Sequence, residues 1–168
     1  VTDGGPPMSS EDVLLLVVAV VLIVLASLLA GLDAAINRVS RVTVDGYVRE
    51  ERRGALRLQS VLTDPARYVN VGLFLQTIAE ITAIVLVTVV TLNVFDQRWE
   101  AVLISSASMV VIAYVIVGVA PRTLGRQHSG RIALAGAGVL YSLATFLAPL
   151  TKVLILLGNA LTPGRGFR

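Results

Sequence analysis

The chain has 168 residues, of which 55% are hydrophobic and 15% charged, with a formal net charge of +3 and no cysteine; its mean hydropathy is +0.82. Intrinsic disorder is excluded, because disordered chains are polar and charged, and so are disulfides and cysteine-based metal or thiol chemistry. Soluble domains carry about 25% charged residues, so the solvent for much of this chain is lipid.

Residues 1–12 form an acidic, extracytoplasmic tail ending in Glu11 and Asp12, and no charge follows from Val13 to Leu32. A cleaved signal peptide has a basic leading region and an apolar core of about 7–15 residues. Here the flank is acidic and the core longer, so 13–36 reads as a membrane helix, with Ser9 or Ser10 as its N-cap. The next stretch carries Arg38, Arg41, Arg49, Arg52, Arg53, Arg57 and Arg67. Within it, 42–62 places Val44, Tyr47, Val48, Ala55, Leu56, Leu58 and Leu62 among the arginines, with Gly46 and Gly54 interrupting. That pattern predicts a pair of short amphipathic helices at headgroup level; a solvated basic loop that only fixes topology is the other reading of the arginines. Thr63-Asp64-Pro65 is a helix start, with Thr63 or Asp64 capping and Pro65 in the first turn.

The second span, 68–92, contains one charge, Glu80. A polar turn holding Trp99, a residue suited to the interface, leads to a third span at 101–120. Beyond Arg122, Arg126 and Arg131 comes a charge-free stretch that begins with small residues and is interrupted by Pro149 and Lys152. It is either a fourth span or a belt of amphipathic helices over 132–158. A membrane helix needs about 20 apolar residues, and Lys and Arg collect on the cytoplasmic side. The arginines therefore place 37–67 and 122–131 inside and the N-terminus outside. Three spans keep Arg165 and Arg168 inside as well, whereas four would put them outside. The expected molecule is an all-α, multi-pass protein of the cell membrane with a cytoplasmic C-terminus.

Little in the sequence suggests catalysis. There is no nucleophile–base set and no phosphate-binding glycine loop, and the single histidine, His128, lies in a polar segment and reads as solvated surface. The chain is not expected to be an enzyme. Nor is a nucleic-acid partner expected, since topology accounts for the positive charge; the partner is the bilayer. Ionisable groups at membrane depth are functional candidates. Helical spacing puts Gln76 and Thr77 on the face of Glu80, and Asp33 lies at the end of the first span. Ser105, Ser106 and Ser108 read as small residues for close helix packing. Glu80 has two available states: a neutral acid hydrogen-bonded to Gln76 or to another helix and serving packing, or an anion compensated by a cation. A hard ion such as Mg²⁺ takes oxygen ligands of these kinds. Asp33 is either a further ligand or simply interfacial.

Three segments carry a resemblance. Leu29-Ala-Gly-Leu-Asp33-Ala-Ala-Ile-Asn-Arg-Val-Ser40-Arg41, Leu62-Thr-Asp-Pro65-Ala-Arg67-Tyr68 and Val117-Gly118-Val-Ala-Pro121-Arg122-Thr-Leu occur in the order and spacing of the transmembrane domain of the cyclin-M/CorC magnesium transporters, which the chain resembles over about Val13 to Leu161. The resemblance implies a domain over 13–162, a homodimer with three membrane helices per subunit, and juxtamembrane belt helices. It also implies that 163–168 begins a linker to cytoplasmic CBS-type domains. In that family Mg²⁺ is held by serine, asparagine and glutamate. By resemblance the serine positions fall on Ala30 and Leu32, the G-N-N positions on Leu75, Gln76 and Thr77, and the glutamate on Gly118, while Pro121 and the basic residue, here Arg122, are kept. Two functions follow as expectations. One is magnesium or other divalent-cation transport with a site rebuilt from Glu80, Gln76, Thr77 and Asp33. The other is a non-transporting paralogue serving as dimeric membrane anchor, regulator or partner-binding subunit.

The arginine asymmetry makes one test immediate. A reporter active only in the cytoplasm, fused after Arg131, should be active; activity confined to an externally active reporter would overturn the orientation.

Overall fold

The computed structural model describes residues 8–95, 97–147, 149 and 153. Those residues are helical with no strand. In chain order they form α1 (Ser10–Ile36), α2 (Arg41–Arg49), α3 (Ala55–Thr63), α4 (Pro65–Val94), α5 (Arg98–Ile112), a π-helical segment (Ala113–Val119), α6 (Ala120–Gln127) and α7 (Ser129–Phe146). Among the described residues three helices are long and apolar enough to cross a membrane: Ser10–Ile36, Pro65–Val94 and the continuous run Arg98–Gln127. Their outward faces expose Val17, Val21, Leu28, Ile81, Val85, Val110 and Val111. Such surface is stable only against hydrocarbon, where the helix satisfies its own backbone groups.

Local chemistry sets the helix ends. Ser9 caps α1 in a reciprocal box: its hydroxyl accepts from the Asp12 N–H at 3.1 Å, and its own N–H donates to the Asp12 carboxylate at 3.0 Å. Pro65 opens α4 as expected, but neither Thr63 nor Asp64 caps it. The Asp64 side chain makes no cap bond, and the Thr63 hydroxyl instead donates to the Gln59 carbonyl at 2.9 Å. The 42–62 stretch resolves into the two short helices α2 and α3. Between them the chain reverses through Glu51 (φ 50°) and Gly54 (φ 86°), and the left-handed conformation at the second of these is one that glycine alone adopts freely.

At the arginine-rich end, α2, α3 and α7 fold onto α1 and α4 around one aliphatic core. Leu32 and Ile36 of α1, Val44 of α2, Leu58 and Val61 of α3, Val71 of α4, and Ala137 and Leu140 of α7 are all buried there. Tyr68 of α4 stacks on Tyr141 of α7, ring centroids 6.0 Å apart. The described part of the 132–158 stretch is thus a helix packed on α1, α3 and α4. Its continuation beyond Phe146 lies, apart from residues 147, 149 and 153, outside the described residues.

Contacts between the long helices use small residues. The first span's Gly31 receives Pro121: a Cβ there would lie 3.1 Å from the Pro121 carbonyl oxygen. A Cβ on Gly125 would collide with the carbonyl oxygen of Gly31, a backbone atom that cannot swing away. Gly125→Ala should therefore cost about 1–3 kcal/mol, the usual penalty of overpacking. Gly46, in α2, has nothing within 4 Å of such a Cβ, so Gly46→Ala should be neutral or stabilise by up to about 1 kcal/mol. Unfolding of the two variants in the same detergent checks the contrast; equal stabilities would refute the close crossing.

Candidate functional site

Backbone geometry on the third long helix organises the site. Across Ala113–Val119 the hydrogen bonds run in π register, and the Ala120 N–H reaches back to the Val115 carbonyl. Continuing that register would give the Ile116 carbonyl to residue 121, but residue 121 is proline and has no N–H. Ser27 of α1 supplies the missing donor: its hydroxyl bonds the Ile116 carbonyl at 2.8 Å. Isolated π turns of this kind concentrate at functional sites.

Around this bond the three long helices meet in a second, smaller core. Ala26 and Ala30 of α1, Ala79 of α4 and Val117 of the π segment are buried together. Ser27 adjoins Ala26, Gly118 adjoins Val117, and Gln76 and Glu80 bracket Ala79. Beside these core residues along the helices stand the Ser27 hydroxyl, the buried Gln76 amide, the half-buried Glu80 carboxyl and a stretch of backbone released from the α pattern. Gly118 contributes no side chain.

The sequence-derived candidates separate in space. Gln76 is buried on α4, one helical turn before Ala79 of the hub. Glu80 is half-buried, and no hydrogen bond or ion pair ties its carboxyl to Gln76 or to any other described residue. Thr77 is exposed, and its hydroxyl is bonded back to the Leu73 carbonyl at 2.9 Å, the local bond that serine and threonine make in helices. Asp33 lies in a different place, a cavity of about 350 Å³ lined by Asp33, Ala34, Asn37, Arg38, Arg122 and Arg126, with no α4 residue in its wall. Its carboxylate accepts from the Asn37 amide at 2.9 Å. Pro121 is buried against Gly31, and Arg122 faces the Asp33 cavity. Among the described residues no three His, Cys, Asp or Glu side chains gather as a metal cluster. A cation at the hub would take its ligands from Glu80, the Gln76 amide and backbone carbonyls, the oxygen set suited to a hard divalent ion.

Sequence reasoning passes over Ser27, which sits in an unbroken apolar run. The available signal was spacing: Ser27-x-x-x-Gly31 on α1 is a small-residue pair of the kind that lets membrane helices approach, and its Gly31 meets Pro121 and Gly125. Asn93 is also missed; its amide donates to the Asp12 carboxylate at 2.8 Å and joins α1 to α4 at the end opposite the arginines.

If Ser27 answers the donor that Pro121 lacks, the two residues are coupled. Ser27→Ala should cost about 0.6–1.7 kcal/mol, the range for interhelical hydrogen bonds in membranes. Pro121→Ala restores an N–H, so Ser27→Ala should cost close to nothing in that background. A double-mutant cycle by unfolding in detergent measures this; an unchanged Ser27→Ala cost in the Pro121→Ala protein would refute the coupling.

Comparison with known proteins follows the same residues. A family model described as the cyclin M transmembrane N-terminal domain matches residues 17–167. UPF0053 protein Mb2387c of Mycobacterium bovis is 47% identical over 144 residues, covering 86% of this chain and 33% of the relative. UPF0053 protein Rv2366c of Mycobacterium tuberculosis matches to the same extent, 47% over 144 residues. The chain spans about a third of the length of these curated relatives, 33% in each case. With the match running through α1, the π segment, Pro121 and α7, the chain belongs to the cyclin-M transmembrane-domain family.

Proposed function

We propose that this domain moves a divalent cation, magnesium being the chemistry its family suggests, through a site rebuilt at the three-helix hub. One observation carries the reading: at membrane depth the third helix leaves the α pattern beside Pro121, where Ser27 meets the backbone. A π adjustment beside a proline re-satisfies freed backbone groups within a bilayer, and such turns recur at functional sites. In transporters, carbonyls of interrupted helices serve as cation ligands. Glu80 supplies the negative charge that the family pattern places at residue 118, and Gln76 stands at the family's amide position. Asp33 takes no part in this site. The reading includes a homodimer, an external N-terminus, and CBS-type cytoplasmic domains in the full-length protein.

A second reading has its own observation. Glycine at 118 together with alanine and leucine at 30 and 32 removes the usual glutamate and serines, which suits a non-transporting paralogue that keeps the fold as a membrane anchor, regulator or partner-binding subunit. Glu80→Gln separates the two, because it preserves shape and removes the charge. A ligand that binds the folded state alone adds RT ln(1 + [L]/Kd) to stability. A Mg²⁺ series should therefore raise the melting temperature of the purified protein and leave that of Glu80→Gln unchanged. Identical Mg²⁺ responses of the two proteins would exclude Glu80 as a ligand and favour the second reading.

A further inference from the structure

The Asp33 cavity has the wrong charge for a cation. Three arginines line it, Arg38 from just beyond the end of α1 and Arg122 and Arg126 from α6, against one carboxylate. That carboxylate is engaged by Asn37, and no ion pair joins it to any of the three guanidinium groups. Arg126 gives its Nε to the Arg122 carbonyl at 3.3 Å, while the guanidinium groups of Arg38 and Arg122 make no side-chain bond among the described residues. Arg122 and Arg126 stand one helical turn apart, a spacing at which like charges repel. The sequence thus gathers unpaired cationic forks at the arginine-rich end of the helices, where headgroups lie.

From this geometry we propose that the cavity between the end of α1 and α6 binds a phosphate-bearing anion. Guanidinium groups present parallel N–H donors that match phosphate oxygens in pairs, and basic pockets between membrane helices take anionic headgroups. At about 350 Å³ the cavity falls at the small end of the range for ligand pockets. It suits a phosphate with its immediate substituent rather than a larger organic ligand. Asp33 opposes the bound anion, and one of its carboxylate oxygens accepts from Asn37. The anion would come either from a lipid headgroup or from a soluble phosphate, and it would bridge α1 to α6 beside the Gly31–Gly125 crossing.

The test uses the purified protein with two probes. Inorganic phosphate is titrated in a neutral maltoside detergent at constant ionic strength, and phosphatidylglycerol is added stepwise to phosphatidylcholine nanodiscs; thermal stability is the readout. At least one probe should stabilise the protein, with a half-saturating concentration raised roughly tenfold or more in Arg122→Gln and Arg126→Gln, as expected for lost charge-assisted bonds. Arg53→Gln, in the α2–α3 turn and away from the cavity, should behave as the parent. Asp33→Asn should bind more tightly, and this gain keeps the test decisive if an arginine variant fails to fold. Stabilisation by inorganic phosphate alone identifies a soluble anion, by lipid alone a headgroup, and by both a site that reads phosphate from either source. Stabilisation by neither, an equal loss in Arg53→Gln, or weaker binding in Asp33→Asn would overturn the proposal.

Discussion

A proline without an N–H sits where a membrane helix needs one, and the crossing of the long helices depends on how that gap is closed. In water the Ile116 carbonyl would find a solvent donor. In hydrocarbon an unmet carbonyl costs several kcal/mol, so a protein donor has to stand beside it. Ser27 can do so only because α1 comes very close, and α1 comes close only because Gly31 and Gly125 carry no side chains where the backbones pass. The π turn, the serine and the glycines are therefore one device. The third helix also changes neighbours across this point: α5 packs on α4, whereas α6 packs on α1.

The two cores reflect two solvents. The hub is built from alanines and one valine, because within a bilayer burying a larger apolar side chain gains little over leaving it in lipid, and close backbone approach matters more. The core under α2, α3 and α7 adds leucine, isoleucine, valine and tyrosine to its alanines, as expected where the amphipathic α2 and α3 meet water and hydrophobic burial is effective. Gly136 shows the second regime admitting a large residue: a Cβ there would strike the Leu32 side chain, which occupies that space.

How much of this was legible in the sequence depends on what each feature needs. The spans were legible in the charge-free runs, because crossing a bilayer is a matter of composition and length. The structure moves only their ends, as α1 begins at Ser10 and the third helix runs on to Gln127. The paired short helices were legible in the alternation of arginines with apolar residues and in Gly54. The family was legible in three spaced segments. The π segment was not, since one extra residue per turn leaves hydropathy untouched and Pro121 alone marks the place. Nor was the separation of Asp33 from Glu80, because both are acids near long apolar runs and only the crossing of α1 with α6 places Asp33 among arginines. The Glu80–Gln76 spacing predicts a shared helix face, but spacing does not fix side-chain torsions, and no hydrogen bond joins the two side chains.

The Asn93–Asp12 bond has a mechanical consequence. It fastens α1 to α4 at the rim far from the arginines, and the α4–α5 turn holds the third helix at that same rim. At the other end the core under α2, α3 and α7 and the Gly31–Gly125 crossing grip the same helices. The long helices are thus fastened at both rims, so any relative shift between them has to break contacts at one rim or the other.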